Sequence, residues 1–404
     1  MSASLATGNQ LDSRPIVGRQ TSIDVFRGIV MFLMLAEVMQ LMTLVQSFPE
    51  SLWAQWLAFH TTHVEWVGCS LHDMIQPGFS FLVGVSLPFS IAARKAKGMT
   101  FGAMARHAFF RSVILILLGI ALRSLGRAQT NFFFVDTLTQ IGLGYFALFW
   151  IAHWSRAAQV FAISIILIGY WSLFAAWPLP REHFDWSSVG VPEDWPHMLT
   201  GFAAHWNKNA NPAWYFDVWF MNLFPQSPSF KFNGGGYSTL NFIPTLATMI
   251  LGVLAGRILK EYPKSLATFG TMFLSGLLLF LTGWALGEAG ICPVVKRIWT
   301  PSWVLYSGGI SFVFLSILFL ICDIWRFYIW SWPLLIIGSN SIAAYVMSGT
   351  MKAPIKAFLI RHLGDSAFMA AGSTWYPIFL GAAVLVVIWL ILYWLYRQRV
   401  FIRI

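Results

Sequence analysis

Charge is scarce in this chain. Of 404 residues only 10% are Asp, Glu, Lys or Arg, against 57% hydrophobic ones, where a soluble domain carries about 25% charged residues. Too few charges remain to cover a water-facing surface of this size. That excludes soluble, disordered, coiled-coil and nucleic-acid-binding proteins, the last in spite of a formal net charge of +10. Cysteine is nearly absent too: Cys69, Cys292 and Cys322 form neither a CxxC pair nor a disulfide framework. Residues 1–20 lack an apolar run and a small-residue cleavage site, so they read as a polar cytoplasmic tail rather than a signal peptide. What the chain does have is long apolar runs, with a mean hydropathy of +0.67. It reads as an all-α polytopic membrane protein.

A helix needs about 20 apolar residues to cross the bilayer core. Runs of that length predict about ten spans (10–11), at 23–47, 73–93, 108–125, 132–152, 158–177, 240–259, 267–289, 303–322, 333–351 and 374–396. Residues 353–362 add a short or re-entrant segment. The basic residues orient them. Residues 48–72 contain no Lys or Arg, whereas 94–111 contain Arg94, Lys95, Lys97, Arg106 and Arg111. With both termini inside, 16 of the 26 basic residues lie on the cytoplasmic side. One connection, residues 178–239, is about sixty residues long and rich in Trp, Pro, Asn and Gly. Its aromatic content predicts a folded extracytoplasmic cap rather than a loose loop.

Ionisable groups inside spans are expensive and mark function. Asp24 and Arg27 are three apart and share a helix face; Ser22 reads as a helix cap, with Asp24 favoured by the helix dipole. Glu37, deeper in the same span, needs a partner or a wet cavity. His60, His63, Glu65, His72 and Asp73 crowd the outer end of the second span, next to Pro77-Gly78. Two chemistries suit such a cluster. A metal site is one, although no HExxH or HxH occurs and only His60 and His63 have a spacing that shares a helix face. The other is general-base catalysis by a histidine that a carboxylate such as Asp73 orients. Arg123, Asp136 and Gln140 lie near the outer ends of the next spans, and Asn340-Ser341 lies inside the ninth.

Several of these segments form a series. Ser22-Ile-Asp24-Val-Phe-Arg27-Gly28 opens it. His63-x-x-Trp66-x-Gly68 follows, with Asp73, Pro77 and Phe81-x-x-Gly84-x-Ser86 behind it. Gly252-x-x-Ala-Gly256, then Pro293, Lys296 and Trp299-Thr300, then Asn340-Ser341 complete it. The series resembles the heparan-α-glucosaminide N-acetyltransferase family, which has bacterial members, and it runs from about residue 20 to 350.

The resemblance implies a transmembrane acyltransferase domain over 21–404, and the lack of a leader points to a bacterial inner membrane. It would move acetyl from cytosolic acetyl-CoA to a sugar or glycan acceptor outside, with no metal and room for a homodimer. The family's essential histidine falls on His63 and its acid on Asp73, with His63 as base or acyl acceptor. Asn340 and Ser341 are then candidate donors to the thioester oxyanion. No Gly-rich phosphate loop is present, so Asp24, Arg27, Arg94, Arg111 and Arg257, with Arg19, Lys95, Arg106 and Lys264, are candidates for the CoA side. Trp66, Trp206, Asn207, Asp217 and Asn222 are candidates for the acceptor. A proton-coupled transporter or flippase using His63, Asp73 and Glu37 is the competing class.

Overall fold

The computed structural model describes residues 20–402; Arg14, Arg19, Arg403 and most of the expected tail lie outside the described residues. The order is α1 (Thr21–Ala36), α2 (Thr43–Ser47), α3 (Leu52–Thr61), α4 (Ile75–Ala96), α5 (Phe101–Ser124), α6 (Thr137–Ile151) and α7 (Arg156–Ala175). After the cap, which contains α8 (Pro212–Met221), come α9 (Phe242–Glu261), α10 (Leu266–Glu288), α11 (Pro301–Leu318), α12 (Trp332–Ser339), α13 (Ser341–Thr350), α14 (Lys352–Leu363) and α15 (Tyr376–Arg397). Among the described residues the extended pairing is a single isolated bridge, Val67 with Val295. The protein is all-α and polytopic.

By length and composition seven of the described helices can cross a membrane, or eight when α12 and α13, bent by 70° at Asn340, count as one span. Eight of the ten expected spans coincide with these. The other two meet shorter helices. The run 23–47 breaks because α1 ends at Ala36 and Gln40 turns left-handed, at φ 50°. The run 132–152 becomes helical only at Thr137, because the Asp136 carboxylate accepts from Leu138 N (2.9 Å) and Thr139 N (3.3 Å) and so fixes the helix start.

Both ends of the bundle are tied by side chains. At the basic end Arg156 reaches Glu261 and Tyr262, and Arg257 reaches Trp154 O. Here also the expected cap of α1 is corrected. Ser22 makes no side-chain cap; instead Asp323, on a π-helical turn Phe319–Ile324 that continues α11, accepts from Thr21 N and Ser22 N and from Lys264 Nζ. A carboxylate from another helix meets the positive end of the α1 dipole. At the other end, between α7 and α9, lies the connection that holds the 178–239 segment expected to form the cap. Trp206, fully buried, stacks on Phe174 of α7, and Trp66 Nε1 donates to Trp206 O.

The centre of the bundle is set by α4 against α9. A Cβ on Gly84 would lie 1.9 Å from Met249 O, on Gly252 2.0 Å from Phe81 O, and on Gly256 2.2 Å from Val85 O. These glycines let the two backbones touch, the usual device where lipid removes the hydrophobic drive between helices. Gly252→Val should therefore lower thermal stability in detergent by more than the roughly 1–3 kcal/mol of ordinary overpacking, because the clash is with backbone. Gly270→Ala on α10, where nothing lies within 4 Å, should be neutral or gain about 0.5–1 kcal/mol. Intrinsic-fluorescence melting of the two variants checks the contrast.

Candidate active site

The segment between α3 and α4 makes the site. It cannot be helical throughout: Thr62 is extended and Gly68 has φ 125°. Pairing of Val67 with Val295, and donation from Gly68 N to Val294 O (3.0 Å), lay this segment against residues 292–300. That juxtaposition brings Lys296 to His63 and Asp73, more than 220 positions away in sequence.

Asp73 is the organising group, 1% exposed. Its Oδ2 accepts from Val64 N (3.1 Å), Ser70 N (3.1 Å) and Ser70 Oγ (3.0 Å). Its Oδ1 lies 2.8 Å from His63 Nδ1 and 3.1 Å from Lys296 Nζ. An ionised carboxylate only accepts, so His63 Nδ1 carries the proton and Nε2 is left as the basic nitrogen. Lys296 Nζ also sits 3.1 Å from His63 Nδ1, but with Nδ1 protonated its bond goes to the carboxylate. Burial holds the His63 imidazolium below the usual histidine range; Asp73 opposes this, and the Lys296 charge adds to it. The imidazole is kept neutral, oriented and basic.

His63 and Lys296 line a cavity of about 570 Å³ with His72, Gln76, Arg123, Asp136, Tyr237 and Tyr345. Across it Glu37 pairs with His72 (Nε2 to Oε1, 3.3 Å) and with Lys352 (3.5 Å). The His63 and His72 rings are 4.4 Å apart. Glu37 thus has the polar partners its place in the sequence demanded. Lys296, Lys352 and Tyr237 were missed as site residues. The signal for Lys296 was its place in the series Pro293, Lys296 and Trp299-Thr300. Among the described residues no group of three or more His, Cys, Asp or Glu side chains could hold a metal ion.

The other candidates are placed as follows. Asp24 pairs with Arg27 (3.2 Å), and Arg27 donates to Ser86 Oγ (2.7 Å). Arg111 donates to Tyr145 OH and lies over its ring, with Arg94 and His107 close by. Arg257 is engaged by Trp154 O and Glu261, and Lys264 by Asp323. Two further sets of candidates have structural partners of their own. The side-chain amide of Asn340 donates to Val400 O and accepts from Ile402 N, both 3.0 Å. It holds the C-terminal segment at the helix break, with Ser341 next to it at the start of α13, and neither residue lines the cavity. The acceptor candidates are placed as follows. Trp66 and Trp206 are fully buried. Asn207 clamps the Leu199 backbone, Asp217 accepts from Thr239 N, and Asn222 holds Phe230.

Fold and site together define a polytopic helical membrane protein with a carboxylate-oriented histidine on the wall of a polar cavity. No protein-family model matches the chain. It is 21% identical over 370 residues to heparan-alpha-glucosaminide N-acetyltransferase of Mus musculus, covering 82% of this chain and 54% of that protein. It is 23% identical over 362 residues to the Homo sapiens protein of the same name, covering 81% of this chain and 52% of that one. The chain spans about half the length of these curated relatives.

Lys296→Met removes a positive charge beside His63, so the His63 pKa should rise and its neutral form should appear at higher pH. Lys296→Arg should keep the original profile. The pH dependence of His63 carbethoxylation, resolved by peptide mass spectrometry, checks both without any assay of function.

Proposed function

We propose that this chain is a transmembrane acyltransferase, one domain over 21–404 with 178–239 as its extracytoplasmic cap. It takes acetyl from acetyl-CoA at the basic, cytoplasmic end and delivers it to an amino sugar at the cap end. The observation that carries this reading is the neutral, Asp73-oriented His63 facing a polar cavity. The names of the two relatives support the same chemistry, and the long apolar helices support a bilayer setting.

The donor is bulky and charged, so only its acetyl end needs to travel. Arg111 is eight residues along α5 from Gly119 on the cavity wall, about 12 Å at 1.5 Å per residue. Arg94 stands beside it, so the two guanidinium groups together suit a phosphate. At the cavity His63 Nε2 attacks the thioester carbonyl, or takes the proton of an acceptor that attacks it. In either case Asp73 stabilises the positive imidazole that results. The oxyanion falls to donors of the cavity wall, Tyr237, Arg123 and Lys352, in place of Asn340 and Ser341. Glu37, Gln76 and Asp136 offer acceptors to sugar hydroxyl and amino groups.

Detergent-purified protein given acetyl-CoA and a panel of amino sugars should release free thiol in step with acetylated sugar. His63→Ala should lose at least about 100-fold, the usual worth of a positioned acid–base group. Full transfer by His63→Ala overturns the reading. So does proton-coupled solute uptake by wild-type vesicles that consume no thioester.

A further inference from the structure

The cavity holds two histidines, each with its own carboxylate and its own ammonium. His63 has Asp73 and Lys296; His72 has Glu37 and Lys352. The sets come from different places in the fold. The first joins the loop before α4 to the 292–300 segment. The second joins the turn that opens α4 to the end of α1 and the start of α14. Lys352 Nζ is itself fixed by Met34 O at 3.1 Å. The rings meet at 4.4 Å. One general base explains one such set and leaves the other without a task.

Double displacement through His63 needs both. While His63 Nε2 carries acetyl and Nδ1 is bound to Asp73, that ring has no nitrogen left to move a proton. Two proton movements remain. The departing CoA sulfur becomes a thiol at neutral pH, since an ordinary thiol ionises near about 8.5. The attacking amine or hydroxyl must lose its proton.

We propose that His72, held by Glu37 and Lys352, is the proton carrier of this reaction, a reading that rests on the acyltransferase function proposed above. In the first half, His63 Nε2 bonds to the acetyl carbon, the C–S bond breaks, and protonated His72 gives its proton to the leaving sulfur. In the second half, the acceptor nitrogen or oxygen bonds to the acetyl carbon and the bond to His63 Nε2 breaks. The acceptor's proton then goes to neutral His72. Both histidines are restored, and no further reactant is needed. His72 Nε2–H faces Glu37, so Nδ1 is the nitrogen that exchanges the proton. The resulting positive charge is balanced by Glu37 and Asp136 and opposed by Lys352, Lys296 and Arg123 on the surrounding walls.

The test compares two donors, acetyl-CoA and the acetyl thioester of p-nitrothiophenol, whose thiolate leaves without a proton; glucosamine is the acceptor. In the first turnover, before acetyl leaves His63, His72→Gln should slow thiol release from acetyl-CoA by about 100-fold and leave release from the aryl thioester near the wild-type rate. Acetylation of glucosamine should fall with both donors, and added imidazole should restore part of it. Glu37→Gln, which keeps the side chain's shape, should show the same donor dependence with a smaller loss, and it carries the comparison if His72→Gln fails to fold. Full activity of His72→Gln beside a dead His63→Ala overturns the proton carrier and leaves the acyltransferase reading standing. So does an equal loss with both donors that imidazole does not restore, which marks a structural role. Full activity of His63→Ala instead removes the acyltransferase reading itself.

Discussion

Everything at the cap end turns on one buried carboxylate. An ionised Asp73 out of contact with water is tolerable only when its lone pairs are met, and the chain meets them from five directions: His63, Lys296, Val64, and the Ser70 backbone and hydroxyl. Satisfying that one group fixes the loop from Thr62 to Asp73, pulls the 292–300 segment against it, and chooses the histidine tautomer. Stranding the Lys296 charge by removing its partner belongs to the class of changes that cost about 3–5 kcal/mol. Stability and chemistry are therefore carried by the same bonds.

The pattern of apolar runs made the helices legible, since a bilayer requires every spanning backbone group to be bonded within its own segment. It failed where polar side chains set the ends. Gln40 and Asp136 stop or start helices inside apolar runs, and Asn340 bends one by holding a segment sixty residues further on. Such decisions depend on partners that are distant in sequence, as does the capping of α1 by Asp323.

Half of the site was legible for the same reason that charge scarcity is informative. His63, Asp73 and Glu37 stood out because apolar neighbours could not explain them. Lys296 stood in the motif series without a role, and Lys352 did not stand out, because a lysine beside a helix end reads as ordinary topology until the fold sets it against a carboxylate. In the cap the same residue types carry a structural load. Its Trp, Asn and Asp residues look like a sugar-binding surface, yet Trp206 is buried against Phe174, and Asn207 and Asp217 are buried and bonded to the backbone of their own segment. Sixty residues without long helices must satisfy their backbone groups somehow, and amide and carboxylate side chains do it.

The central claim is that acetyl crosses from the basic end to His63 while the rest of the donor stays behind. Proteoliposomes of uniform orientation, with acetyl-CoA confined to one side and glucosamine to the other, test it most directly. The account predicts acetylated sugar only when acetyl-CoA meets the basic end, and none with His63→Gln. Product formed with acetyl-CoA at the cap end, or unchanged transfer by His63→Gln, would contradict it.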